Sequence, residues 1–214
     1  MKKYFFVLLI ILMLLTMNVC HSKEFNTKLL NKVIVLDAGH GGKDGGTTVG
    51  GVYEKDINLS IVLLLKDELI KMGAEVIVVR DGDYDLSSPN TNHRKKSDFD
   101  NRINLINNSN ADLYLSIHIN YLAEKKYYGA QTFYTKGNEL LANIIQQSFN
   151  SYLNSPMKEK EIGKTIYMYK KLKVPGVLIE CGFLSNDRER KLLNTNDYQK
   201  KLVNAIVKAL VNYY

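Results

Sequence analysis

Cysteine is almost absent from this chain of 214 residues, occurring only as Cys20 and Cys181. Cys20 falls in the apolar N-terminal stretch, so the remainder carries one thiol and no internal disulfide can form there. A folded domain must therefore be held by its core, and a hydrophobic content of 45% is enough to build one. No internal repeat occurs. No uncharged apolar run reaches the roughly 20 residues that a confident membrane span needs. The longest, Tyr4 to Met17, follows Lys2 and Lys3. That order reads as a secretory leader. Residues 1–22 are expected to be a signal peptide cut near Ser22, or an anchor retained through 4–17. Asn18 and Val19 are poor neighbours for lipoprotein processing at Cys20. In either case the domain is exported across the cytoplasmic membrane. Residues 23–31 read as a linker and 32–214 as one domain.

Clustered charge is also lacking. The net charge is +7, but lysine pairs such as Lys125-Lys126, Lys170-Lys171 and Lys200-Lys201 are scattered. Nucleic acid is not the expected partner of an exported chain. An anionic wall or membrane surface, or an ordinary solvated surface, accounts for the charge.

What is present is an alternation of strand and helix patterns. Strands are expected at Lys32–Asp37, Ala74–Arg80, Ala111–His118, Gly129–Tyr134 and Pro175–Glu180, with a short extended stretch at Ile166–Tyr169. Helices are expected at Asp56–Met72, Phe99–Asn108, Glu139–Leu153 and Asp197–Tyr213. Gly73 closes the first helix. This order predicts an α/β fold, a single-domain three-layer sandwich with a twisted, mostly parallel sheet flanked by helices. In such sheets, reacting groups gather beyond the carboxyl ends of the strands.

The stretch "VIVLDAGHGGKDGG" poses the main question. Between Gly39 and Gly51 lie seven glycines. Neither phosphate-binding pattern fits. Counting from Gly39, position six of a dinucleotide fingerprint is Asp44, and Gly42-Lys43 is followed by Asp44 rather than Ser or Thr. Metal fits better. His40 and His118 sit at or past the ends of two strands, and Glu54 stands where the glycine loop enters a helix. Glycines allow the loop to fold tightly enough to return Glu54 to His40. The three form a His–Glu–His set with an open fourth position, as in catalytic zinc sites. Taken singly, His40 could be structural, and Glu54 could be an acid favoured in a first helical turn. His93, in a polar loop, reads as exposed. Glu180 ends a continuously apolar strand, where a carboxylate is costly unless paired or functional. Cys181 beside it would serve a cysteine hydrolase with His118, but alternation aims it at the opposite face. A small buried thiol is the better reading.

The order "VLDAGHGGKDGG", "YEKDINLSIVLLLKDEL", "LYLSIHIN" and "VPGVLIECGFLSN" closely resembles the zinc-dependent N-acetylmuramoyl-L-alanine amidases, from about Val33 to the C-terminus. The resemblance implies one zinc ion per chain held by His40, Glu54 and His118, with Glu180 as the catalytic residue. Arg102 and Asn107 match an arginine and an asparagine ahead of the "SIH" strand, and Arg102 and Asn120 are candidate substrate or supporting residues. Ile119 and Cys181 depart from the family's usual residues without touching the chemistry. Some relatives insert a helix that plugs the zinc site, and Asp81 to Asp98 is too short for it. The single-domain form and "DYDLSSPN…RKKSDFDNRINLIN" are similar to the spore-cortex amidases of the CwlD type. That likeness implies a peptidoglycan substrate, preparation of muramic-δ-lactam sites and a location at the wall or cortex face. The missing plug leaves control to an activating protein partner or to timed expression. A zinc peptidase acting on stem peptides and a non-catalytic wall-binding module are the alternatives.

Overall fold

The computed structural model describes residues 27–162 and 166–214. The expected leader and Cys20 lie outside the described residues. No helix among the described residues is long and apolar enough to cross a membrane.

Among the described residues, eight strands and five helices follow one another. They are β1 (Val33–Ala38), β2 (Thr48–Val49), β3 (Val52–Tyr53), α1 (Glu54–Lys71), β4 (Glu75–Val78) and α2 (Arg94–Asn107). Then come β5 (Leu113–Asn120), β6 (Gln131–Tyr134), α3 (Glu139–Leu153), β7 (Lys160–Glu161), β8 (Gly176–Phe183), α4 (Asp187–Leu193) and α5 (Asn196–Tyr213). Six strands form one sheet in the order β4-β1-β5-β8-β6-β7, and β2-β3 form a separate hairpin inside the glycine loop. Every pairing in the large sheet is parallel except β6 with β8. The expected α/β sandwich is the observed one.

Two unequal layers cover the sheet. On one face Ile34, Leu36, Leu115, Ile117, Ile179 and Cys181 pack against α1, α3 and α5. The helices present apolar residues one turn apart toward them, such as Ile57, Ile61, Leu65 and Leu69 of α1. On the other face Val35, Tyr114 and Leu178 meet α2 through Ile103 and Ile106, together with Met168 and Tyr169. Period-two alternation aims Asp37, Ser116, His118 and Glu180 at this thinner side. The cover here is one helix and a turn, so space remains beside these polar groups.

Several boundaries differ from expectation, each for a physical reason. Helix α2 starts at Arg94 rather than Phe99. Its first turn is solvent-facing and polar, so it carries no apolar period. Strands β5 and β8 run past His118 and Glu180 to Asn120 and Phe183, since Ile119, Cys181 and Phe183 are buried. The expected extended stretch at Ile166–Tyr169 is not a strand; residues 167–171 form a turn. Its apolar residues pack as a cap on Leu178 rather than pairing in the sheet. Helix α4 is an addition, with Asn186 as its N-cap accepting from the Arg188 and Glu189 amides. No helix occurs in 81–93, so the short connection carries no plug.

Candidate metal centre

The register of the central strands assembles the site. β1 sets Asp37 opposite Ser116, and β8 sets Glu180 opposite His118. The glycine loop then carries His40 over the carboxyl ends of β1 and β5. His40 has φ of 63°, an uncommon conformation for a residue with a side chain. Such strain tends to persist where the surroundings over-determine it.

Glu54 is the first residue of α1, and its carboxylate is the hub. Its Oε1 lies 3.2 Å from His40 Nε2 and 3.0 Å from His118 Nδ1, and accepts the Ile119 amide at 3.2 Å. Its Oε2 accepts the Thr47 amide at 2.9 Å. One donor atom from each of His40, Glu54 and His118 falls within 4.8 Å of the other two. Two glycines make this convergence possible. A Cβ on Gly39 would lie 2.2 Å from His118 Cε1, and one on Gly46 would lie 2.7 Å from Glu54 Oε2 and from His40 Cδ2. Any side chain at either position would push a donor away.

The charges are arranged to match. Burial works against ionised Glu54, but both imidazoles outweigh it and hold the carboxyl well below its usual range. Burial likewise pulls His40 down, yet Asp44 and Glu54 raise it to about 9. Glu180 behaves oppositely. Burial lifts its carboxyl to about 7, partly countered by His118. Its Oε2 is enclosed and has no hydrogen-bond partner. A carboxylate left unpaired in this way is destabilising unless it serves a purpose.

A scaffold of buried polar groups supports the loop. Arg102, 1% exposed, donates to Asp37 Oδ1 at 2.6 Å, to Asp98 at 3.0 Å and to the carbonyls of Ala38 and His40 at 2.8 and 2.6 Å. Arg102 thus lies under the loop as a brace, and it also lines the recess shared by His40, His118 and Glu180. Asn120 sits at the rim, its side chain accepting the Tyr121 amide at 2.8 Å. Asn107 is not part of the cluster. It bonds Lys171 and Lys173 ahead of β8, at the amino ends of the strands.

Sequence reasoning missed further members. Arg80 donates to Ala38, Gly39 and Lys55 carbonyls, and Asn58 donates to Gly39. Asp44 stands 3.1 Å from His40 Nδ1. Ser116 donates to Asp37 Oδ2 and accepts from Tyr169. The four-residue spacing of His40 and Asp44 within a tight glycine loop was the one available signal. The others depend on long-range register.

Two imidazoles and one carboxylate are ligands that could hold a metal ion such as zinc, and Glu180, whose Oε2 is unpartnered, lines the same cleft. Residues 34–212 match the sequence profile described as N-acetylmuramoyl-L-alanine amidase. The chain belongs to the N-acetylmuramoyl-L-alanine amidase family. A curated member, the germination-specific N-acetylmuramoyl-L-alanine amidase of Bacillus subtilis, is 39% identical over 198 residues, covering 90% of this chain and 84% of that protein. Among solved amidase structures, the CwlD amidase from Clostridioides difficile, determined in complex with the GerS lipoprotein, superposes with a TM-score of 0.81 and 40% identity. That match covers 86% of this chain and 98% of that one. The N-acetylmuramoyl-L-alanine amidase from Clostridium difficile 630 gives 0.75 and 30%, over 85% and 96%.

Proposed function

We propose that this family member is a zinc-dependent amidase that separates the lactyl group of N-acetylmuramic acid from the L-alanine of the stem peptide. It acts outside the cytoplasmic membrane, on cell wall or spore cortex. The observation that carries the reading is the His40–Glu54–His118 convergence beside an unpartnered Glu180. These three residues would hold the metal, and when bound it would activate a water and polarise the scissile carbonyl.

The chain's own groups do the rest. Glu180, with its carboxyl near neutrality, takes a proton from the attacking water. The water oxygen bonds to the lactyl carbonyl carbon and the carbon–nitrogen bond breaks. Glu180 returns the proton to the leaving nitrogen, so the products are a lactyl carboxylate and a peptide with a free amino terminus. Arg102 and Arg80 keep the loop carbonyls, and hence His40, in place.

The likeness to a germination-specific amidase and to a CwlD enzyme supports a role in spore cortex, preparing sites for muramic-δ-lactam. The solved complex with a lipoprotein supports a protein partner here too. Residues 1–22 would serve as the export signal or anchor, and 32–214 as the catalytic domain. Two variants test the assignment. Glu180→Gln should keep one zinc per chain by elemental analysis and lose nearly all turnover. His118→Ala should lose the metal. Normal cleavage by the first, or full zinc in the second, would refute it.

A further inference from the structure

Helix α2 begins with Arg94, Lys95 and Lys96 and has no acidic residue in its first turn. Cations are disfavoured there, because the N-terminal end of a helix carries partial positive charge. Arg94 is neutralised by Asp85 at 2.7 Å and Lys96 by Asp100 at 2.6 Å. Among the described residues Lys95 has no such carboxylate partner. Its ammonium lies 5.9 Å from the Phe99 ring centre. Unlike its neighbours, it lines the catalytic cleft, an open space of about 520 Å³ that also holds Asp44, Glu54, Glu180, Asn120 and Tyr121. Among the described residues Lys95 is the one lysine or arginine on the lining of that space; Arg102 lines the adjoining recess behind His40, His118 and Glu180, where Asp37 and Asp98 already pair it.

A peptidoglycan stem is itself anionic. Its second residue is joined through its side-chain carboxyl, so its α-carboxyl is left either free or amidated. An unpaired cation on the cleft wall would favour the free acid over the neutral amide. We propose that Lys95 is a specificity-determining residue, its ammonium receiving the free α-carboxylate of the stem residue that follows the scissile L-alanine. The inference rests on the amidase reading above and extends it from the bond cleaved to the peptide recognised. The lysine stands unpaired in the free protein because its counter-charge arrives with the substrate.

The test uses two muropeptides that differ only in whether that α-carboxyl is free or amidated, with the zinc-loaded full-length protein. The wild type should favour the free acid about tenfold in kcat/KM, the scale of a charge-assisted hydrogen bond in a partly solvated site. The preference should reside in KM rather than kcat. Lys95→Gln should abolish it, Lys95→Glu should reverse it, and Lys95→Arg should retain it. Equal kcat/KM for the two substrates in the wild type overturns the proposal, as does a preference that survives in Lys95→Gln. Failure to cleave either substrate at the lactyl–alanine bond overturns the amidase reading and this inference with it. Cleavage without discrimination overturns this inference alone.

Discussion

At the scale of single residues, Glu180 shows what its proposed role costs in stability. Its Oε2 is enclosed and unpartnered, and burial raises the carboxyl to about 7, against about 4.3 for an exposed glutamate. The sign follows from linkage. The unfolded chain loses this proton at about pH 4.3 while the folded chain retains it to about 7, so folding is penalised progressively as pH rises through that window. In metal-free protein, Glu180→Gln should therefore stabilise more at pH 8 than at pH 5. Urea unfolding at the two pH values reads this directly, and an equal gain at both would show that burial does not shift the group. Asp44 has a separate role. Its carboxylate, 3.1 Å from His40 Nδ1, leaves Nε2 to face the ligand cluster. Partners of metal-binding histidines of this kind are worth about 10- to 100-fold in metal affinity. Asp44→Ala should weaken zinc binding by that factor in a competition titration with a chromophoric chelator.

At the scale of elements, the site is a product of register. The apolar patterns of β1, β5 and β8 are plain in the sequence, as are the helical faces of α1, α3 and α5. Thus the sandwich and the polar residues near its strand ends could be read without coordinates. The pairing of Asp37 with Ser116 and of His118 with Glu180 could not, because nothing local to either strand encodes it. The same holds for Arg80 and Arg102, whose partners lie 42 and 65 positions away. The polar start of α2 was hidden for a different reason: a helix turn with no apolar stripe has no period to detect.

The α2–β1 clamp has a measurable consequence. Burial disfavours ionised Asp37, but Arg102 and Ser116 prevail and keep its carboxyl below the usual range. A depressed carboxyl adds stability that is fully present above the unfolded value, near pH 3.9, and is lost as pH falls through the folded value. Arg102→Met leaves Asp37 and Asp98 buried without their cation and should cost about 3–5 kcal/mol at pH 7. Because the stranded Asp37 then protonates more readily, the deficit should shrink below pH 4. A deficit constant from pH 7 to pH 3 would contradict the clamp. Gly39→Ala tests the loop itself. Its methyl would displace the His118 ring, so zinc should be lost while the far-ultraviolet circular dichroism spectrum is retained.

At the scale of the whole molecule, the sheet's unequal cover explains why the chemistry sits where it does. Three helices seal one face, and one helix with the turn at 167–171 only partly seals the other. The uncovered carboxyl ends leave a cleft open to a polymer that cannot enter a closed cavity. Residues 81–93 hold no helix or strand. The most direct test of the central claim is mass spectrometry of the products from purified wall and cortex digested with and without a zinc chelator. The account predicts lactyl-muramic acid glycans and intact stem peptides with new L-alanine amino termini, abolished by chelator and restored by zinc. Shortened stem peptides still attached to glycan, or cleavage indifferent to the chelator, would contradict it.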